Sequence, residues 1–187
     1  MITENMLFDR IDYTASPLAR GEYENCTFKN CNFYGCDLSN FIFRACTFDG
    51  CDLSLVAFKN TTLNDIRFVN CKVMGIQFQE SNSFLLSFGF ENCILKLSVF
   101  YKLKLKKISF INCNLQEADF TETDLTSSVF ENCDLYRTVF YGTNLEKADF
   151  RSSFNYSLDP ERNRLKKAKF SRLGIAGLLD KYNIEIE

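Results

Sequence analysis

Apolar residues recur at every fifth position along almost the whole chain. Counting in fives from Phe28 gives Phe33, Leu38, Phe43, Phe48, Leu53, Phe58, Leu63, Phe68, Val73 and Phe78, with Phe8, Tyr13, Leu18 and Tyr23 before it. A second series, two residues out of phase, starts at Leu85 and runs through Phe90, Leu95, Phe100, Leu105 and Phe110 to Phe150. With each of these called position i, residue i−2 is small or apolar (Cys26, Cys46, Ala118, Ser128, Ala148). Positions i−1, i+1 and i+2 carry nearly all the charge, Asn, Gly and Tyr. A period of five fits neither an α-helix nor a flat strand. It fits three extended residues, with i−2 and i pointing to one inward side, followed by a corner that faces water.

A longer period sets the number of corners. Phe28-Lys29-Asn30-Cys31, Phe48-Asp49-Gly50-Cys51 and Phe68-Val69-Asn70-Cys71 recur every 20 residues, and the same tetrapeptide pattern returns at Phe90, Phe110 and Phe130. Four pentads per coil predict an all-β, four-sided (quadrilateral) parallel β-helix of about 20 residues per coil. Coils stack at about 4.8 Å, so Phe8 to Phe170 forms about eight coils and a rod roughly 40 Å long. The step from Cys71 to Cys93 is 22, which places a two-residue bulge within 79–84. The repeat breaks at 152–161, where Asp159-Pro160 marks a turn, and resumes at Leu165 and Phe170.

Past that point, 172–181 predicts a short amphipathic α-helix and 182–186 a terminal strand. The rod is thus expected over 1–170, with a cap or dimerisation segment over 171–187. A solenoid end needs cover. Leu173, Ile175, Leu178, Leu179, Ile184 and Ile186 exceed what one cap requires, so the expectation is an end-to-end homodimer, with a monomeric cap as the alternative.

Composition narrows the chemistry. The chain has 9 Cys, 20 Phe and no His. Without His, the commonest general base and metal ligand is missing. All nine cysteines fall at i−2, where they read as small buried thiols packing between coils. No phosphate loop, nucleophile elbow or metal motif is present, so the expectation is a non-enzyme with no cofactor and no metal. The first ten residues lack a basic-then-apolar signal pattern, and no apolar run is long enough to cross a bilayer, so a cytoplasmic protein is expected. Lys102, Lys104, Lys106 and Lys107 alternate with inward Leu103 and Leu105, and read as a solvated face, not a nucleic-acid site.

The net charge of −2 hides an uneven distribution. Residues 108–150 carry −6 and residues 81–107 carry +4. Within the acidic segment, Glu117, Asp119, Glu122, Asp124, Glu131 and Asp134 are candidate binding residues. Such a band on a rod can imitate duplex phosphates, or simply maintain solubility.

The segments Ala118-Asp119-Phe120-Thr121-Glu122 and Ala148-Asp149-Phe150-Arg151-Ser152 resemble the pentapeptide-repeat consensus Ala-(Asp/Asn)-Leu-x-x. That resemblance covers essentially the whole chain and implies a right-handed coil. Asp52 to Asn60, Cys71 to Phe78, and the run Leu165-Lys166-Lys167-Ala168-Lys169-Phe170 with Leu178-Leu179 and Ile184-Glu185-Ile186 are similar to the Qnr-type quinolone-resistance proteins. This second resemblance implies a dimeric DNA mimic that binds type II topoisomerase (DNA gyrase or topoisomerase IV), touches no nucleic acid or membrane directly, and shields the enzyme from quinolones. Where Qnr proteins carry projecting loops, this chain has only the two-residue bulge. The alternative is a scaffold for another protein.

Overall fold

The computed structural model describes residues 2–185. The five-residue pattern becomes a parallel β-solenoid of about 20 residues per coil. One ladder joins Leu7–Asp9, Thr27–Lys29, Thr47–Asp49, Ile66–Val69, Phe88–Glu91, Ser109–Ile111 and Val129–Glu131 in parallel register. We call this face 1. Its inward column is Phe8, Phe28, Phe48, Phe68, Phe90, Phe110, Phe130, Phe150 and Phe170. Successive rings stack with centroids 4.6–5.4 Å apart. Face 2 follows along Tyr13, Phe33, Leu53, Val73, Leu95, Leu115 and Leu135. Face 3 runs through Leu38, Phe58, Phe78, Phe100, Phe120 and Phe140. Face 4 begins as the ladder Ile2–Glu4, Glu22–Glu24, Ile42–Arg44 and Thr62–Asn64. Faces 2 and 3 are held by single-residue parallel bridges such as Asn32 to Asp52 and Val99 to Asp119.

Each corner has a local cause. On faces 2 and 3 the N–H of residue i+3 donates to the carbonyl of residue i, as Val56 does to Leu53 at 3.2 Å and Thr123 to Phe120 at 3.1 Å. Residue i+2 then takes a positive φ, from 55° at Glu122 to 67° at Gly75. Type II turns demand that sign at their third residue, and Asn and Gly adopt it most readily. Asn70, Asn92, Asn112 and Asn132 occupy this position between faces 1 and 2, where the side-chain amides of Asn92, Asn112 and Asn132 each donate to the Asn one coil before at 3.0–3.2 Å, and that of Asn70 donates to Asp49 at 3.0 Å.

Position i−1 also builds the corner. Asp52 Oδ1 accepts from the Ser54 N–H at 3.0 Å, Asp119 from Thr121 at 2.7 Å, and Asp134 from Tyr136 at 3.1 Å. A short acidic or amide side chain bonding its backbone two residues on makes an Asx turn. That is the reason for Asp or Asn at this place in the repeat.

Position i−2 holds more than small size. The hydroxyls of Thr61, Thr123, Thr143 and Ser153 donate at 2.6–2.8 Å to the carbonyls of Leu38, Phe100, Phe120 and Phe130, each the i residue of the preceding coil. The thiols of Cys51, Cys71 and Cys133 do the same to Phe28, Phe48 and Phe110 at 3.3–3.4 Å. A small side chain with a donor therefore rivets each coil to the previous one, which accounts for Cys, Ser and Thr sharing one column.

The extra residues lie between Phe78 and Phe88. Below them, partners are 20 apart (Asp52 with Lys72); across them they are 22 apart (Ile66 with Phe88, Gln77 with Val99). Leu85 was expected to point inward, but it is 61% exposed at φ 56° beside Phe84 at 71% exposed, and Leu86 packs against the core instead. Of the three consecutive apolar residues, only the last returns to the inner wall.

The tail departs from expectation twice. Instead of an α-helix, residues 172–181 form two short 3-10 turns, Ile175–Leu178 and Asp180–Tyr182. Gly174 and Gly177 weaken an α-helix, and the Gly177 carbonyl accepts from the Leu158 N–H at 2.8 Å, a bond that ties this turn to the rod. The terminal strand is likewise not found among the described residues: 183–185 have no regular structure, and Ile186 lies outside them. No helix of the described residues is long and apolar enough to cross a membrane.

Candidate interaction surfaces

The interior offers little reactivity. All nine cysteines are free, and all but Cys36 are buried. Burial raises the Cys46 thiol to about 11. Hydrogen bonds to Cys51 and Cys93, together with burial, push the Cys71 thiol upward, while the same bonds draw those two thiols downward, each only 1% exposed and sealed from any reactant. A thiol held protonated is a poor nucleophile and a poor metal ligand. Among the described residues no group of three or more Cys, Asp or Glu is placed to hold a metal ion.

The six acidic candidates do not share one face. Glu117 sits at the corner between faces 2 and 3, Asp119 on face 3, Glu122 at the corner between faces 3 and 4, and Asp124 on face 4. Glu131 and Asp134 lie on the side of faces 1 and 2. Three of the six serve the fold: Asp119, Asp124 and Asp134 anchor Asx turns. Asp134 also accepts from Gln116 at 2.6 Å and Asn155 at 2.9 Å. Burial alone would raise the Asp124 carboxyl, but the Thr126 hydroxyl and N–H and the Lys106 ammonium outweigh it and hold it below the usual range. Glu117, Glu122 and Glu131 have no turn to anchor, because they stand at i+1 or i+2.

The basic segment is coupled to this acidic one. Lys102 lies 3.4 Å from Glu122, and Lys106 lies 3.4 Å from Asp124, one coil further on. Leu103 and Leu105 are buried between them, as the alternation predicts. The two charge blocks therefore partly neutralise each other on the side of faces 3 and 4, and do not form separate patches.

At the C-terminal end the tail folds back over Tyr156 and Phe170. Lys181 bridges Asp159 and Glu161, at 2.7 Å from each, and the Tyr182 hydroxyl donates to Glu161 at 3.1 Å. A Cβ at Gly177 would collide with the Tyr156 carbonyl, so only glycine allows this approach. Of the apolar tail residues, Leu178 and Leu179 are half-buried, whereas Leu173 is 97% exposed and Ile175 and Ile184 also face solvent. Beside the tail, a cleft of about 610 Å³ runs between Tyr136, Phe154, Tyr156 and Leu173. The cap thus covers the end only in part and displays its own apolar side chains.

Comparison with known proteins agrees with this architecture. No curated protein sequence matches the chain. Among solved structures, a trypsin-treated variant of QnrB1, a plasmid-mediated fluoroquinolone resistance protein, is similar with a TM-score of 0.67 at 21% identity, over 97% of this chain and 99% of that one. A second trypsin-treated QnrB1 variant gives 0.68 at 20% identity, over 99% and 100% of the two chains. Full-length QnrB1 gives 0.58 at 19% identity, over 98% and 100%. At such identities the likeness is one of fold. The model of the pentapeptide repeat region matches residues 22–88 and 83–157. With repeat, coil and family model in agreement, the chain belongs to the pentapeptide-repeat family.

Proposed function

We propose that this protein is a non-catalytic binding rod of the Qnr kind, acting in the cytoplasm on a type II topoisomerase, DNA gyrase or topoisomerase IV, and lowering its sensitivity to quinolones. The observation that carries the reading is the end-to-end fold similarity to QnrB1, which extends through the C-terminal tail. Glu117, Glu122 and Glu131 are the acids best suited to contact a basic cleft, since no turn depends on them. The exposed Leu173, Ile175 and Ile184 at the tail support dimerisation through the C-terminal end. The test is gyrase supercoiling with purified protein, with and without ciprofloxacin. Recovery of supercoiling in the presence of drug supports the proposal; unchanged activity in both arms removes it.

A scaffold for a different protein is the second reading. It is favoured by the pairing of Lys102 with Glu122 and Lys106 with Asp124, which breaks the acidic surface that duplex mimicry needs. A pulldown in which a partner other than a topoisomerase subunit binds directly, and is lost on charge reversal at Glu117 and Glu131, selects this reading.

A further inference from the structure

The last coil of the rod differs from the others in charge. Residues 162–179 hold six bases and no acid. Arg164 and Lys169 carry faces 4 and 1 onward beside Asn144 and Asp149. Arg162 pairs with Asp159 at 3.5 Å and Lys169 with Asp149 at 3.7 Å. Arg164, Lys166, Lys167 and Arg172 are exposed and form no ion pair among the described residues. Lys102 and Lys106, by contrast, each have an acid one coil on. Like charges crowded on one coil repel, so the fold gains nothing from this band, and an anion neutralises it.

The band runs into a cleft. Arg172 stands between Ser171 and Leu173, which both line the space of about 610 Å³ beside the tail. Two other walls are rings of face 2 that take no part in the core: Tyr136 is 52% exposed and Phe154 48%. Phe154 pairs with Asp134 on the preceding coil, and Tyr136 lies two residues beyond Asp134. Coil spacing and strand rise put the two residues diagonally about 8 Å apart. That separation admits one flat ring between them, at about 3.5 Å from each. The lining also keeps groups for the polar edge of such a ring. Arg151 holds Asp149 through Nε and Nη2 at 2.7–3.1 Å, which leaves Nη1. Asn155 gives its amide to Asp134 at 2.9 Å, which leaves its carbonyl, and Asp180 is the one acid in the lining.

We propose that the C-terminal end of the rod binds single-stranded nucleic acid, with one base in the cleft between Tyr136 and Phe154 and the adjoining phosphates along Arg172, Lys169, Lys167 and Lys166. A strand offers both features of the site at once, flat rings and regularly spaced negative charge. A duplex offers the charge but keeps its rings stacked inside, and an acidic peptide offers no such rings. The acidic stretch 108–150 repels a polyanion, which confines the contact to the last coil and keeps it modest. Recognition of this kind reads no sequence, because every base has a flat face.

Fluorescence anisotropy of the full chain with a fluorescein-labelled oligothymidylate of about 12 nucleotides tests this, apart from any topoisomerase binding. At low salt a Kd of about 10 μM is expected, within the range of sequence-independent contacts. Lys166→Ala/Lys167→Ala/Arg172→Ala weakens binding and makes the slope of log K against log salt shallower by about 2. Tyr136→Ala/Phe154→Ala weakens it at least about tenfold and leaves the slope unchanged. Tyr136→Trp keeps a flat ring and introduces the sole tryptophan of the chain, so binding persists and its fluorescence is quenched as the base stacks. Binding absent at about 1 mM protein, binding indifferent to the loss of both rings, or an unquenched tryptophan each overturns the proposal. So does a duplex of the same length held as tightly as the single strand, or polyglutamate that competes as well as unlabelled strand.

Discussion

Phe110 and Phe8 hold the same place in the repeat, but their neighbourhoods differ. Phe110 is fully buried between Phe90 at 5.4 Å and Phe130 at 5.1 Å. Phe8 starts its column, stacks only on Phe28 at 4.8 Å along it, and remains half-exposed beside Ile2, Met6 and Leu7, each at least 50% exposed. The far end lies between these extremes. Phe170 stacks on Phe150 at 5.4 Å and meets Tyr156 at 5.7 Å under the folded-back tail. In a solenoid each coil is stabilised by its two neighbours. The comparison teaches that position along the rod, not position in the repeat, sets the cost of a change.

The largest effect is expected where a charge enters the sealed middle. Cys113 is 2% exposed and sits in a column of thiols, with backbone carbonyls as its polar neighbours. Cys113→Asp places a carboxylate there without a donor, at a cost of several kcal/mol. Urea unfolding should show a collapsed midpoint or no folded protein. Next come the rings themselves. Phe110→Ala should cost about 3–5 kcal/mol, whereas Phe8→Ala, which leaves no closed cavity, should cost about 1–2 kcal/mol. Equal losses for the two would mean that the first coil is covered in solution.

The interior was legible from sequence because a period of five with an inward pair admits one arrangement, and 20 residues between like tetrapeptides gave the number of sides. What the i−2 donors do was not legible, although the signal was present. Cys, Ser and Thr share the column, yet their target, a carbonyl on the preceding coil, exists only once coils are stacked. The turn-building role of the acids at i−1 was not legible for a related reason. Asp119, Asp124 and Asp134 are candidate binding residues by charge, and each also anchors an Asx turn that is seen only once the corner is built. At the bulge, a 22-residue step says that two residues are extra without saying which of Phe84, Leu85 and Leu86 turns inward. The tail fooled the helix reading because its close approach to Tyr156, through Gly174 and Gly177, is a tertiary fact.

A smaller effect separates the two ends by pH. The Lys181 ammonium holds the Asp159 and Glu161 carboxyls below their usual range. Burial alone would lower Lys181, but these two carboxylates outweigh it and raise it. For carboxyls with depressed values in the folded state, the contribution is present above the unfolded value of about 4 and is lost as pH falls through the folded one. The pairs are exposed, so the contribution is modest and screened by salt. Hydrogen exchange at the Leu158 N–H, which donates to Gly177, should quicken below about pH 4 before the core unfolds. Lys181→Ala should quicken it at neutral pH and flatten the response, while exchange at the open N-terminal coil stays unchanged. An identical pH response in the variant would show that the ion pairs do not hold the tail.

The smallest effect distinguishes two acids of the sealed middle that stand at different places in the repeat. Asp124 Oδ1 accepts from both the Thr126 N–H at 3.1 Å and its hydroxyl at 2.5 Å, and losing those bonds in Asp124→Ala should cost about 1 kcal/mol. Glu117 stands at a corner with φ 57° and anchors no turn. Lysine tolerates that conformation, since Lys102 and Lys107 adopt φ 59° and 62° at equivalent corners. Glu117→Lys should therefore shift stability by no more than about 0.5 kcal/mol. Thermal unfolding of the two variants side by side decides the matter. If Glu117→Lys destabilises as much as Asp124→Ala, the corner acids are part of the framework, and Glu117 could no longer be treated as free to serve a partner.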